Sequence, residues 1–158
     1  MVRRVYLSYH VPEDHWRAKQ VRKAWTTDEG HETAGYVDPE RWQELKRAGT
    51  DRIRSWVAEE IDGCDVTAVL IGERTDGYEL VNHEIKKTVA EGMGLVGVHN
   101  IEDADGSTEP RGPDPLERYN IDGTPLNEIF NTYDWKFENG PLHFDRWVEE
   151  AVDVVRSR

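Results

Sequence analysis

The chain has 158 residues, a formal net charge of −12, 37% hydrophobic residues and six tryptophans. This length and apolar content predict one folded domain over residues 1–158 and exclude a globally disordered chain. The negative charge disfavours non-specific binding to nucleic acid or to anionic membranes, because both require a positive surface.

No apolar stretch reaches the length of a membrane span, and the first ten residues lack the apolar core of a signal peptide. The single cysteine, Cys64, begins a predicted strand, where a packing role in a reducing compartment is expected. We therefore predict a cytoplasmic protein. The 32 acidic residues stand against 20 basic ones, most of them arginine, a composition typical of salt-adapted proteins. We hypothesise that folding needs high salt to screen the self-repulsion.

Alternating apolar residues predict a first strand over residues 3–10. Pro12 sets the first turn of a helix that continues to about Trp25. After a polar loop, residues 34–38 predict a short second strand.

The acid and proline at residues 38–39 are typical of a helix start, and Gly49 ends that short helix. Thr50 is expected to cap a second helix, which has Trp56 and Val57 at core spacing and which Gly63 ends.

The central stretch covers residues 64–90 and predicts a strand, a loop and a helix. Residues 66–71 form a β-branched apolar run, typical of a strand covered on both faces in a parallel sheet. A polar turn ends at Gly77, and a helical pattern begins at Tyr78. Glu84 falls roughly 60° to one side of the apolar face of that helix.

The Glu84 carboxylate is therefore expected to lie along the sheet, just beyond the C-terminal end of a central strand. Open α/β sheets hold their ligands at this edge. The alternative is a surface residue paired with Lys87, one turn further along the helix.

Residues 94–99 predict a fourth strand. Residues 101–131 show no regular helix or strand pattern and are longer than most ordered loops. This stretch is either a functional cover or a surface excursion. Residues 132–135 predict a short fifth strand, and an amphipathic helix ends the chain. Strands that alternate with helices predict an α/β sandwich with a mostly parallel, five-stranded sheet.

Several catalytic motifs are absent or out of context. The glycines at residues 92–97 follow a predicted helix and precede a predicted strand. In a dinucleotide-binding fingerprint the glycines instead follow a strand and precede a helix. The six histidines are scattered without ligand spacing, so we expect no metal site. The chain contains no Walker loop and gives Ser8 no nucleophile-elbow context.

Several segments in this order resemble the TIR-like proteins of prokaryotic anti-phage defence, the TIR component of Thoeris systems. They read YLSYHVPEDHWRAKQVRKAW, AGYVDPERW, CDVTAVLIGERT, LVNHEIKK, GPDPLERY, YDWKFENG and FDRWV. The resemblance implies a flavodoxin-like, TIR-like three-layer fold. It also implies an NAD glycohydrolase and cyclase, which releases nicotinamide and makes a cyclic ADP-ribose type messenger. NAD is then the substrate, and no metal is implied. The implied partners are a separate NAD-depleting effector reached through that messenger, and other copies of the TIR domain.

The resemblance also assigns roles to individual residues. Family members carry a Trp-Cys-x-x-Glu-like motif on the helix after the central strand, which here reads Leu80-Val81-Asn82-His83-Glu84. The catalytic role maps to Glu84, while Leu80 replaces the tryptophan. The loop after the first strand matches the segment that lines the NAD site. The implied NAD-binding residues are Ser8, Tyr9, His10, Asp14, Arg17 and Asn82.

Two alternatives remain open for function. One is a TIR-like adaptor that binds partners or nucleotide without turnover, which the Leu80 departure favours. The other is an enzyme similar to nucleoside deoxyribosyltransferases, which also place a glutamate in a flavodoxin-like fold. For the individual residues, Asp14 and Arg17 form either a solvated helix pair or part of a pocket. Tyr9 and His10 either line the site or pack beside it.

Overall fold

A computed structural model describes residues 2–26, 30–102 and 112–158. Five parallel strands form the central sheet: β1 (Arg4–Ser8), β2 (Glu32–Ala34), β3 (Val66–Ile71), β4 (Gly94–His99) and β7 (Thr132–Asp134). Their spatial order is β2-β1-β3-β4-β7. A separate hairpin of β5 (Asn120–Ile121) and β6 (Thr124–Pro125) is antiparallel. The sheet confirms the predicted α/β fold with five strands, and its order is that of a flavodoxin-like fold.

Six α-helices connect and cover the strands of the described chain. They are α1 (Val11–Trp25), α2 (Pro39–Ala48), α3 (Thr50–Ile61), α4 (Glu79–Ala90), the single-turn α5 (Leu126–Ile129) and α6 (Gly140–Arg156). A 3₁₀ helix covers Pro115–Arg118. None of the described helices combines the length and the apolar character that a membrane span requires.

The direction of the strand connections sets the two outer layers. The chain runs from β1 to β2 one way along the sheet and from β3 to β4 the other way. Because parallel crossovers are right-handed, α1 and α4 lie on opposite faces. Helix α6 packs against α1 and β4, and α4 packs against β1, β3 and β4. The result is a three-layer sandwich whose strand order reverses between β1 and β3.

Capping agrees with the sequence at the start of α2 but not at the start of α3, where Gly49 and not Thr50 is the N-cap and no side chain caps the helix. The Asp38 side chain accepts a hydrogen bond from the Arg41 amide at 2.9 Å, with Pro39 in the first turn of α2. His10 caps α1 in a similar way, as its Nδ1 accepts from the Glu13 amide at 3.3 Å. The His10 cap fixes where the chain turns after β1, at the edge where open α/β sheets bind ligands.

The second strand was misplaced by the sequence pattern. It covers Glu32–Ala34 and pairs with β1 from Arg4 to Tyr6, whereas residues 34–38 were expected. Gly35 follows at once with a φ of 77°, a conformation that ends the strand. Val37 instead lies in the β2–α2 connection, where its backbone bonds to the Tyr9 hydroxyl.

The long polar excursion contains more structure than its composition suggested. Residues 112–131 hold the 3₁₀ helix, the hairpin and α5. Gly112 lies directly against the carbonyls of Gly72 and Glu73, at the end of β3. Arg118 donates two hydrogen bonds to the carboxylate of Asp76 in the β3–α4 loop, from Nε at 2.9 Å and from Nη2 at 2.7 Å. The described part of the excursion is thus attached to the C-terminal edge of the sheet, while residues 103–111 lie outside the described residues.

Candidate functional site

Strand β1 and helix α4 meet through a buried carboxyl. The Tyr6 hydroxyl donates to one oxygen of Glu84, and Ser8 Oγ donates to the other at 2.8 Å. Tyr6 and Ser8 are two residues apart in β1, so both side chains leave the same face of the sheet. Glu84 is 2% exposed, and Tyr6 and Ser8 are fully buried. The surface alternative, a Glu84–Lys87 pair, does not occur, because Lys87 pairs with Glu91 at 3.2 Å.

Burial controls the ionisation of this cluster. It raises the pKa of Glu84 from 4.5 to about 8, although the hydrogen bonds from Tyr6 and Ser8 oppose that rise. Burial likewise raises the pKa of Tyr9, and that of Tyr78 to about 12, with the Glu84 charge adding to both shifts. Three phenols therefore lie within electrostatic range of one carboxyl that changes charge near neutral pH.

His10 and Tyr78 join the ends of β1 and α4. Their rings tilt against each other with centroids 4.4 Å apart. The Tyr9 side chain lies toward the β2–α2 connection, where its hydroxyl accepts a hydrogen bond from the Val37 amide at 3.1 Å. The end of β1 is thereby tied both to the start of α4 and to the β2–α2 connection.

A second polar cluster lies at the end of β3. Asp14 and Arg17, each 2% exposed, form a buried ion pair in the first turns of α1. Thr75 Oγ1 lies 3.4 Å from Asp14 Oδ2 and accepts from the Gly72 amide at 2.8 Å. A β-carbon at Gly72 would lie 2.5 Å from Asp14 Oδ2, so only glycine allows this approach. Asp14 and Arg17 are therefore not a solvated surface pair.

The structure brings most of the sequence-predicted residues to the point where the strand order reverses. Ser8, Tyr9, His10 and Glu84 surround the end of β1, and Asp14 and Arg17 lie at the neighbouring end of β3. Such a reversal point is where open α/β sheets bind ligands.

Asn82 is placed differently. It is two residues from Glu84, so its side chain leaves α4 roughly 200° away around the helix. Its Oδ1 is buried and accepts no hydrogen bond from any residue that the structure describes.

Tyr6 is the functional candidate that sequence reasoning missed. The alternation in β1 placed it on the same face as Ser8, and that pairing was the available signal. The sequence pattern does not indicate which helix covers the Tyr6 and Ser8 face of β1. The handedness of the crossovers supplies this, because it places α4 over Tyr6 and Ser8.

Two comparisons show which known proteins this chain is similar to. The family model described as "Thoeris protein ThsB, TIR-like domain" matches residues 6–105. A protein of Bacillus cereus (strain MSX-D12), named "Putative cyclic ADP-D-ribose synthase ThsB1", is 28% identical over 142 residues. That alignment covers 85% of this chain and 72% of the relative.

Proposed function

The chain belongs to the TIR-like domain family of the Thoeris protein ThsB, and on that premise we propose that it converts NAD to nicotinamide and a cyclic ADP-ribose type messenger. One observation carries the proposal: a buried carboxyl, Glu84, is held from both sides at the β1–β3 reversal point. The name of the Bacillus cereus relative supports the same reaction class.

The first step breaks the bond between nicotinamide and ribose. The bonding electron pair goes to the ring nitrogen, so nicotinamide leaves as a neutral molecule and needs no strong acid. Positive charge then develops on the ribose as an oxocarbenium ion. A fixed carboxylate beside that sugar stabilises the charge, as in glycosidases.

Glu84 must be ionised to act in this way. Its pKa of about 8 keeps much of it protonated at neutral pH in the free protein. A cation close to a carboxyl lowers the carboxyl's pKa. Binding of the positively charged nicotinamide riboside part of NAD therefore favours the ionised form at the moment when the carboxylate is needed.

The second step closes the ring. A hydroxyl of the same ADP-ribose attacks the oxocarbenium carbon, and its proton passes to the Glu84 carboxylate. Each carboxylate oxygen has two lone pairs, so Glu84 can accept from ribose while Tyr6 or Ser8 still donates. Cyclisation rather than hydrolysis requires that water be excluded and that the two ends of NAD be held close. We propose that residues 112–131 contribute to that cover.

The other residues that the resemblance implies take binding roles. We propose that Ser8, Tyr9 and His10 line the NAD site at the end of β1. Asp14 and Arg17 line it beside β3, and Asn82 reaches it from the first turn of α4. The messenger would act on a separate NAD-depleting effector, and we propose a cytoplasmic location and self-association of the domain.

One observation favours a second candidate, a non-catalytic adaptor that binds partners or nucleotide. Both oxygens of Glu84 have partners inside the fold, and the side chain is almost fully buried. A carboxyl in that position also suits a purely structural role.

Chromatography of the products separates the candidates. Purified protein is incubated with NAD, and nicotinamide, linear ADP-ribose and cyclic products are quantified. The proposal predicts nicotinamide together with a cyclic product. An adaptor would give neither, and an enzyme of the deoxyribosyltransferase type would instead exchange bases on a deoxynucleoside.

A further inference from the structure

Two threonine hydroxyls are buried between β3 and α4, close to the Glu84 turn of the helix. Thr67 lies on β3 and Thr88 on α4, and neither residue is exposed to solvent. Their hydroxyl oxygens are 2.7 Å apart, and Thr88 Oγ1 donates to the backbone carbonyl of Glu84 at 2.7 Å. Because a hydroxyl carries one proton, Thr67 donates to Thr88 while Thr88 donates to Glu84. The hydrogen bonds therefore run in one direction, from the central strand to the turn that carries Glu84.

The register of the sheet places Thr67 beside Tyr6. The two residues are partners in the parallel pairing of β1 with β3, so both side chains leave the same face of the sheet. Tyr6 bonds to the side-chain carboxyl of Glu84, and the threonine pair bonds to the main-chain carbonyl of the same residue. Two neighbouring strands thus attach one residue of α4 to the sheet, one through its side chain and the other through its main chain.

Packing alone does not require these hydroxyls. Thr67 is the single polar residue of β3, and a buried hydroxyl costs free energy unless it is hydrogen-bonded. Valine has nearly the same shape as threonine, and two apolar residues in place of a buried hydrogen-bonded pair leave stability nearly unchanged. Apolar contact is non-directional, however, whereas a hydrogen bond fixes both a distance and an angle. The pair therefore supplies orientation more than stability.

We propose that Thr67 and Thr88 are positioning residues for the proposed reaction. They hold the turn of α4 that carries Glu84, so that its carboxyl stays within hydrogen-bond distance of β1. This inference rests on the proposed function and adds two residues to it. Neither threonine is exposed, so both act on the reaction through Glu84 and not through contact with NAD.

Loss of the Thr88 hydroxyl should loosen that turn. The Glu84 carboxyl then moves relative to the two hydroxyls of β1, whose hydrogen bonds favour its ionised form. The pKa of Glu84 should therefore rise, which leaves less carboxylate at neutral pH. Burial raises the pKa of the Tyr6, Tyr9 and Tyr78 phenols, so none of these three neighbours titrates near neutral pH.

Thr88→Val and Thr88→Ser test the hydroxyl in the reaction. Valine removes the hydroxyl and keeps the shape, whereas serine keeps the hydroxyl. We expect Thr88→Val to lower kcat for nicotinamide release by about five-fold, the equivalent of one neutral hydrogen bond, with KM close to wild type. Thr88→Ser should recover most of the wild-type kcat. A wild-type kcat in Thr88→Val, or an equal loss in both variants, would overturn the proposal.

Two further variants separate positioning from folding. The double variant Thr67→Val with Thr88→Val leaves no buried hydroxyl unbonded, so its thermal midpoint should stay close to that of the wild type while kcat remains low. Thr26→Val is the matched control, because Thr26 Oγ1 also donates to the carbonyl four residues earlier, at 2.8 Å, but lies at the end of α1. It should keep the wild-type kcat. A wild-type kcat in the double variant would show that the hydroxyls have no positioning role.

The titration of Glu84 tests the same role without NAD. The ¹³C signal of its side-chain carboxyl, assigned with Glu84→Gln, gives the pKa in each protein. We expect a higher pKa in Thr88→Val than in the wild type and no change in Thr26→Val. An unchanged pKa in Thr88→Val would overturn the proposal even where the wild type releases nicotinamide. A raised pKa in a protein without turnover would support the hold on Glu84 and contradict the proposed function instead.

A double-mutant cycle identifies the route of the effect. If Thr88 acts by keeping the Glu84 carboxyl close to Tyr6, its hydroxyl matters less once the Tyr6 hydroxyl is absent. The rise in the pKa of Glu84 in Tyr6→Phe with Thr88→Val should therefore be smaller than the sum of the two single rises. Rises that add would show that Thr88 acts independently of the Tyr6 contact and would overturn the positioning route.

Discussion

The Tyr6 hydroxyl of β1 donates a hydrogen bond to the carboxyl of Glu84 on α4, although 78 positions separate the two residues. Both side chains are buried, so the hydrogen bond is shielded from bulk water. Because a hydrogen bond to the ionised carboxylate favours that form, Tyr6 holds the pKa of Glu84 lower than burial alone would. Tyr6 is therefore proposed as a positioning residue for the carboxylate.

Tyr6→Phe tests that role with little change in shape. We expect kcat for nicotinamide release to fall by about ten-fold, the effect of losing one hydrogen bond to a charged group. The pKa of Glu84 rises, so the rising limb of the pH–rate profile moves to higher pH. Tyr133→Phe is the control, since Tyr133 contacts a different glutamate, Glu150, on α6. An unchanged profile in Tyr6→Phe would remove the positioning role.

The buried carboxyl also predicts how stability depends on pH. Below about pH 4.5, Glu84 is protonated in both the folded and the unfolded chain. Between pH 4.5 and about 8, the unfolded chain loses a proton that the folded protein keeps. The free energy of unfolding therefore falls by ~1.4 kcal/mol per pH unit through this window on account of Glu84.

Glu84→Gln lacks this titration. The stability of the variant relative to the wild type should therefore increase from pH 5 to pH 8. Urea unfolding of both proteins at several pH values measures the difference. A constant difference across that range would mean that the pKa of Glu84 is not raised in the folded protein.

Much of the fold follows from local pattern, and the failures have physical causes. The β3 and α4 segments were predicted with nearly the observed bounds, because a strand covered on both faces and an amphipathic helix each leave a strong pattern. Strand β2 was misplaced because it is an edge strand with Glu32 and Thr33, whose pairing with β1 does not require apolar residues. Gly35 then ends it before the apolar Tyr36 and Val37.

The candidate site was predicted only in part for a similar reason. Glu84 was identified from the resemblance to TIR-like proteins and from its place after the central strand. Predicting Tyr6 as its partner requires knowing which helix covers each face of β1. That is a property of the whole topology and not of the local sequence. The burial of the Asp14–Arg17 pair likewise depends on the close approach of Gly72, which helical spacing does not encode.

The Arg118–Asp76 ion pair attaches the excursion to the β3–α4 loop. Arg118→Gln should therefore increase hydrogen–deuterium exchange in residues 112–121 while the thermal midpoint stays close to that of the wild type. Arg146→Gln breaks an exposed pair with Glu150 within α6 and should leave that exchange unchanged. Equal exchange in both variants would mean that the pair does not hold the segment.

The charge of −12 predicts a dependence on salt. Screening weakens repulsion among the acidic residues of the compact state, so the thermal midpoint should rise from low to molar KCl. Thermal melts monitored by circular dichroism give the comparison. A midpoint that stays constant or falls would exclude self-repulsion as a limit on folding.

The central claim is that the carboxylate of Glu84 stabilises the ribose cation formed from NAD. Its most direct test is the rate of nicotinamide release by the wild type, Glu84→Gln and Glu91→Gln, with folding confirmed by circular dichroism. Glu91 is a suitable control because it is an exposed glutamate at the end of the same helix. The account predicts a loss of about 10²-fold or more in Glu84→Gln and a rate close to wild type in Glu91→Gln. Release by folded Glu84→Gln at the wild-type rate would contradict it.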